Sequence, residues 1–286
     1  MDINIWVEKY RPNSLKDLIL SDENREIFEK YLEHKSIPNI IFFGQPGTGK
    51  TSTALVLLKE LNPTLLRLCG SDDRGIDVIR NQIKSFIQVK AFDGKQKIVF
   101  YDEGEYLTSP AMAALKEITE RYQKFVSFLF CTNHLFRFSD AIRSRCTSFE
   151  FQRPLHEDII NFYKKVLTAE KIDFKAEDLE RVYKTCSGDL RQSLIHLQKY
   201  SITGELKLSD ESFEEVFALL KSGKIRELKQ YFANHSVDWD SLYRHLYERT
   251  ENPKKLVVLS KYYYQHELVV DKEINFMGFI SDYLDK

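Results

Sequence analysis

Gly44-Gln45-Pro46-Gly47-Thr48-Gly49-Lys50-Thr51 fits the pattern GxxxxGK[ST], and Ser52 follows it. Glycines in such a run let backbone N–H groups turn inward around an anion. The helix that opens at its end adds a partial positive charge of about half a unit. Lys50 is placed to reach the β- and γ-phosphates of a nucleotide, and the Thr51 hydroxyl to ligate Mg2+. Further on, KIVFYDE (97–103) ends in Asp102-Glu103. A buried strand ending there sets both carboxylates at the C-terminal edge of a sheet, where ligands bind. Asp102 would hold Mg2+ through water, and Glu103 would polarise an attacking water as general base. An acidic pair after a strand is by itself an ordinary solvated strand end. Behind a complete phosphate loop it points to ATP hydrolysis.

Two later stretches are weaker on their own. VSFLFC (126–131) leads into Thr132-Asn133, whose amide could hydrogen-bond a γ-phosphate or the attacking water. A plain Asn turn accounts for that spacing equally well. SDAIRSRCTSFEF (139–151) crowds Arg143 and Arg145 onto a short polar turn. On the residues alone these are surface arginines.

The elements that must position these groups alternate. Five short apolar runs read as strands: 39–43, 64–69, 97–101, 126–131 and 147–151. The first four are nearly continuous in apolar residues, as strands buried on both faces are. Helix-period segments at 51–61, 76–89 and 110–122 separate them, the last opened by Ser109-Pro110 as cap and first turn. Alternation of this kind predicts a parallel sheet. After Arg153-Pro154 only helical patterns remain, at 156–170, 175–185 and 189–200, with Ser187-Gly188 between the last two. A polar junction at 201–210 precedes a further helical stretch to the end. The expected organisation is therefore an α/β P-loop domain (1–152), a small helical domain (153–203) and an all-helical C-terminal domain (204–286).

Composition narrows the class. With 286 residues, two or three domains are expected. The 43% hydrophobic content supports a packed core rather than disorder. Lys+Arg and Asp+Glu number 42 and 43, so any basic surface is local. The four cysteines form no CxxC pair, and no histidine pair has zinc spacing, so they read as reduced, mostly buried thiols. No apolar run approaches the roughly 18 residues of a membrane span. The start, MDINIWVEKYRP, is acidic and mixed and does not resemble a signal peptide.

Taken in order, Glu8-Lys9-Tyr10-Arg11-Pro12, GQPGTGKT, Ser71-Asp72-Asp73-Arg74-Gly75-Ile76-Asp77, Asp102-Glu103, Ser144-Arg145-Cys146 and Gly188-Asp189-Leu190-Arg191 resemble the small subunits of the replication factor C sliding-clamp loader, within the AAA+ ATPases. The resemblance covers residues 5 to about 200, and SDDRGIDVIRNQIKSF is its most specific stretch. It implies a five-stranded AAA+ domain, a helical lid and a helical oligomerisation collar. ATP and Mg2+ are the implied cofactors. The implied partners are other loader subunits in a hetero-pentamer, the sliding clamp and primer–template DNA, without a membrane. The location would be nuclear in a eukaryote and cytoplasmic otherwise.

Residue roles carry over by the same resemblance. Val7, Tyr10 and Arg11 match a segment near the adenine. Asn133 matches the first sensor of the γ-phosphate, and Arg191 the second. Arg145 matches an arginine finger aimed at ATP in the neighbouring subunit. Arg74, Arg80 and Lys84 match a basic helix face along the DNA backbone, although Arg80 and Lys84 four apart equally suit a solvated face. Arg74 would also hold Glu103 inactive until DNA arrives. Two stretches depart from the family pattern. Gly104-Glu105 stands where Ala-Asp is usual, and glycine there is expected to loosen the following loop. Phe136-Arg137-Phe138 is likewise unusual. The alternatives are a catalytically weak structural subunit of the same loader, or another AAA+ machine such as a helicase loader or remodeller. A remodeller is expected to present an aromatic-hydrophobic pore loop, and the segment 75–89 shows no obvious one. Tyr262-Tyr263-Tyr264 would be buried between helices or between subunits.

Overall fold

The five apolar runs form one parallel sheet in the computed structural model of the chain, which describes residues 5–89, 94–186, 188–203, 210–234, 237, 239–266 and 268–284. The strands are β1 (Ile40–Gly44), β2 (Thr64–Cys69), β3 (Lys97–Asp102), β4 (Ser127–Thr132) and β5 (Thr147–Phe151). Their order across the sheet is β2-β3-β4-β1-β5, and every neighbouring pair is parallel. All C-terminal ends therefore lie along one edge. β4 sits between β1 and β3, so the phosphate loop after β1 and the carboxylates after β3 face each other across its tip.

Alternation along the strands feeds two cores. Phe42, Phe100 and Leu129 point to one face with Phe28, Leu57 and Phe149. Ile41, Val99, Tyr101, Phe128 and Phe130 point to the other with Ile79, Ile83 and Leu115. Each fully buried side chain of this size contributes roughly 1.5–3 kcal/mol, which holds the strand tips in register.

β2 departs from the expected burial on both faces: its residues alternate, and Leu65 is 41% exposed. The sheet order explains this, because β2 is an edge strand covered on one face. The 76–89 segment is not one regular helix. α-Helical turns at Ile76–Val78 and Lys84–Gln88 flank a π-helical stretch at Ile79–Ile83. Ile79 and Ile83 face the core from that stretch, and Lys97 on β3 donates from Nζ to the Phe86 carbonyl (2.7 Å), capping its far end. The helix Ser109–Tyr122 is capped one residue earlier than expected, by Thr108 accepting from Ala111 N–H.

The chain divides into two compact units, Met1–Gly204 and Glu205–Lys286. The helices His156–Ala169, Ala176–Cys186 and Leu190–Thr203 belong to the first. Ser187 and residues 204–209 of the expected junction lie outside the described residues. The second unit contains the helices Asp210–Lys221, Ile225–Asn234, Trp239–Arg249, Pro253–His266 and Lys272–Leu284, closed on Leu242, Tyr243, Phe276 and Phe279. Its tyrosine run is split. Tyr262 packs on Phe279 and donates to Asp282 (2.9 Å), whereas Tyr264 is 70% exposed. Among the described residues no helix is long and apolar enough to cross a membrane, and no cluster of three metal-ligating side chains occurs.

Candidate nucleotide site

The loop between β1 and the helix Lys50–Leu61 turns through left-handed backbone at Gly47 (φ 73°) and Gly49 (φ 96°). A side chain at Gly47 would also meet Asp189, since an added Cβ falls 2.2 Å from its carboxyl carbon. Lys50 Nζ lies over the loop and donates to the carbonyls of Gly44 (2.9 Å) and Gln45 (2.7 Å). Burial lowers the Lys50 pKa from that of a free lysine, and the carboxylates of Glu105 and Asp102 oppose that shift. Thr48 Oγ1 closes the loop onto the Gln45 carbonyl at 2.8 Å. Gln45 and Pro46 are exposed, and of the loop's first three residues, Gly44 to Pro46, only Pro46 lines the cleft described below.

Register places the acidic pair beside the loop. The Asp102 Oδ1 atom accepts from Thr51 Oγ1 (3.1 Å) and from Glu103 N–H (3.1 Å). Glu103 is exposed and holds a left-handed backbone (φ 54°, ψ 44°), a strained state for a residue with a side chain. Cys69 lies opposite Asp102 on β2, and its thiol points at Glu103 Oε2 from 3.7 Å. The side chain found against Glu103 is thus Cys69 and not Arg74, which enters this region through its carbonyl, an acceptor for Thr108 N–H.

Asn133 follows β4 between the two. Its Nδ2 donates to Glu105 Oε1 (2.6 Å) and its backbone N–H to Glu105 Oε2 (3.2 Å). Gly104, expected to loosen this loop, is instead buried. Beneath lies Cys131, whose thiol is pushed well above the ordinary range by burial and so stays protonated.

The helical elements close the remaining sides. Asp189 Oδ1 accepts from the N–H groups of Arg191 (2.8 Å) and Gln192 (3.0 Å), capping the helix Leu190–Thr203. This sets Arg191 at the cleft rim. On the other side Trp6 is buried, and its backbone N–H donates to Gln198 Oε1 at 3.0 Å. Tyr10 donates to Glu170 Oε1 (2.5 Å), which also pairs with Lys9 (2.6 Å). Those two partners, Lys9 first, hold the Glu170 carboxyl below the usual carboxylate range. Arg11 pairs with Glu8 at 2.7 Å.

One cleft is lined by Val7, Tyr10, Arg11, the loop from Pro46 to Ser52, Asp102, Glu103, Asn133 and Arg191. It also takes in Glu105, Phe162 and Leu194, which no motif in the sequence marks. Phe162 and Leu194 reach it from the helices His156–Ala169 and Leu190–Thr203.

The other arginines lie elsewhere. Arg145 donates to the Ala141 carbonyl and pairs with Glu120, and Arg143 pairs with Asp140. Neither lines the cleft. Arg74 and Arg80 are exposed and Lys84 is half-buried; Arg80 lies within the π-helical stretch Ile79–Ile83 and Lys84 just after it, so the two are not set on one regular α-helix.

Comparison with known proteins agrees with this geometry. Residues 40–154 match the ATPase family associated with various cellular activities (AAA). The replication factor C small subunit of Picrophilus torridus is 34% identical over 254 residues, covering 83% of this chain and 80% of that protein. The one from Methanosphaera stadtmanae is 37% identical, covering 80% and 73%. Among solved structures, the Thermotoga maritima RuvB Holliday junction branch migration motor superposes with a TM-score of 0.59 at 16% identity, over 83% of this chain and 85% of RuvB, a likeness of fold.

Proposed function

The chain belongs to the replication factor C small-subunit family of AAA ATPases, and we propose that it works as an ATP-hydrolysing small subunit of a sliding-clamp loader. The observation that carries this is the single cleft joining Lys50, Thr51, Asp102, Glu103, Asn133 and Arg191. In this reading Lys50 leaves the Gly44 and Gln45 carbonyls for the β- and γ-phosphates. Glu103 takes a proton from the water that attacks the γ-phosphorus, and the bond from that phosphorus to the β-γ bridging oxygen breaks. ADP and inorganic phosphate leave. Asn133 and Arg191 hold the γ-phosphate and report its presence to the lid helices, residues 153–203. Thr51 and Asp102, with hydroxyl and carboxylate oxygens 3.1 Å apart, fit the oxygen-ligand preference of Mg2+, which supplies charge neutralisation there when bound.

Arg145 completes a neighbouring subunit's site. It stands outside the chain's own cleft, and a planar cation introduced from outside suits a phosphoryl group gaining charge. Arg74, Arg80 and Lys84 follow the phosphate backbone of primer–template DNA, which would make hydrolysis DNA-stimulated. The second unit, Glu205–Lys286, is the collar of a hetero-pentamer. The relatives are archaeal, which favours the cytoplasm over the nucleus.

The test is steady-state ATPase of the chain alone, then with the other loader subunits, clamp and primed DNA. Turnover stimulated by the full set and lost in Glu103→Gln supports the reading. Rapid turnover by the lone chain, indifferent to clamp and DNA, would send it to another AAA machine.

A further inference from the structure

We propose that Glu105 is a positioning residue for hydrolysis, fixing the Asn133 side-chain amide through a two-point grip. The inference rests on the hydrolytic reading above. Both oxygens of Glu105 are used, one on Asn133 Nδ2 at 2.6 Å and one on its backbone N–H at 3.2 Å. A carboxamide has two ends of nearly equal shape, and only the nitrogen end donates to an anionic oxygen. Were Asn133 flipped, its Oδ1 would face a carboxylate oxygen and be repelled. Glu105 therefore sets which end is where, and one N–H remains to donate from a fixed nitrogen.

The packing beneath makes that grip possible. Glu105 sits in the turn Gly104–Tyr106, and the turn Leu135–Arg137 follows Asn133. The two meet through Gly104 and Phe138. Phe138 is 1% exposed, packs on Phe130 at 5.1 Å, and its Cζ would be 2.5 Å from a Cβ at Gly104. Any larger residue at 104 must move the turn or the ring. The Gly104-Glu105 pair and the Phe136-Arg137-Phe138 stretch, which look like separate departures in the sequence, form one contact. Glycine admits the close approach, and the approach brings the Glu105 carboxylate within reach of Asn133.

The test uses the full chain with Glu105→Ala, Glu105→Gln, Gly104→Ala, Asn133→Ala and the Glu105→Ala/Asn133→Ala pair. ATP and ADP affinities are read by displacement of a fluorescent nucleotide, folding by melting, and turnover in the reconstituted loader. Hydrogen bonds to a charged partner predict a roughly 10- to 100-fold loss of turnover and of ATP preference over ADP in Glu105→Ala. ADP affinity and melting stay at the parental level. Glu105→Gln, which keeps one acceptor, recovers part of the loss. Gly104→Ala reproduces the losses of turnover and of ATP preference with the carboxylate present, and melts below the parent because the Phe138 ring or the turn must shift. In the Asn133→Ala background, Glu105→Ala adds nothing further. Parental or raised turnover in Glu105→Ala overturns the proposal. So does an equal loss in both backgrounds, or ADP affinity falling together with ATP affinity. A parent protein that neither prefers ATP nor hydrolyses it overturns the underlying reading, and that result appears before any variant is compared.

Discussion

Gly47→Ala and Gly49→Ala separate two costs at neighbouring positions of the same loop. Both residues have left-handed backbone, at φ 73° and 96°. That conformation costs a residue with a side chain roughly 1–2 kcal/mol. Only at Gly47 is there a collision as well: the added Cβ falls 2.2 Å from the Asp189 carboxyl carbon, whereas nothing lies within 4 Å at Gly49. Asp189 cannot swing away freely, because its Oδ1 caps the helix that carries Arg191. Losing a cap of this kind costs about 1 kcal/mol. Gly47→Ala is therefore expected to destabilise the first unit by about 1 kcal/mol more than Gly49→Ala. The excess should vanish when Asp189 is also Ala. The assay is chemical denaturation of the four variants and parent, followed by fluorescence, with ATP affinity measured alongside. Equal destabilisation by the two glycine variants, or an excess that survives Asp189→Ala, would refute the reasoning, since the collision with Asp189 is its whole content.

Other outcomes follow from the same geometry. Arg145→Ala should leave nucleotide affinity of the lone chain unchanged and lower turnover of the assembled loader by roughly 10³-fold or more; a loss already present in the lone chain would place Arg145 at its own site. Glu170 is lowered by Lys9 and Tyr10, so its stabilising contribution is complete above the ordinary glutamate value of about 4.3 and is lost as pH falls through the lower folded value. The stability gap between parent and Glu170→Gln, read as urea midpoints, should therefore be constant near neutrality and close on acidification below about pH 4; a gap that does not change would count against the tie. Cys131 is buried with a raised pKa, whereas Cys69 is half-exposed. An aromatic disulfide reagent should modify Cys69 in the native chain and leave Cys131 untouched until denaturant is added, as counted by released thiolate.

How much of this could be read from the sequence depends on the kind of contact. The strands were legible because five short apolar runs alternate with helical periods, and the phosphate loop because its spacing is local and its context fixed. The order β2-β3-β4-β1-β5 was not spelled out by any run, so β2 read as buried on both faces when it is an edge. Ile79 and Ile83, both buried in the π-helical stretch Ile79–Ile83, stand four apart in the sequence as they would in an α-helix, so nothing in the pattern announced it. Contacts between elements were the least visible. Cys69 meets Glu103, and Glu120 meets Arg145, only because parallel register and helix packing bring distant residues together.

Gly104 shows why reading one position at a time misleads there. A glycine after an acidic pair, taken alone, suggests a loose loop, because glycine carries the largest backbone entropy. Its effect in the folded chain has the opposite sign. The missing Cβ leaves the space that Phe138 fills, and the turn is pinned against the tip of β4. Freedom in the unfolded chain and close approach in the folded one are both consequences of the same absent atom. Which one matters is decided by the partner, here a phenylalanine beyond β4 that no local pattern connects to position 104. An unusual glycine and an unusual bulky residue in one sequence are therefore better examined as a pair than as two separate weaknesses.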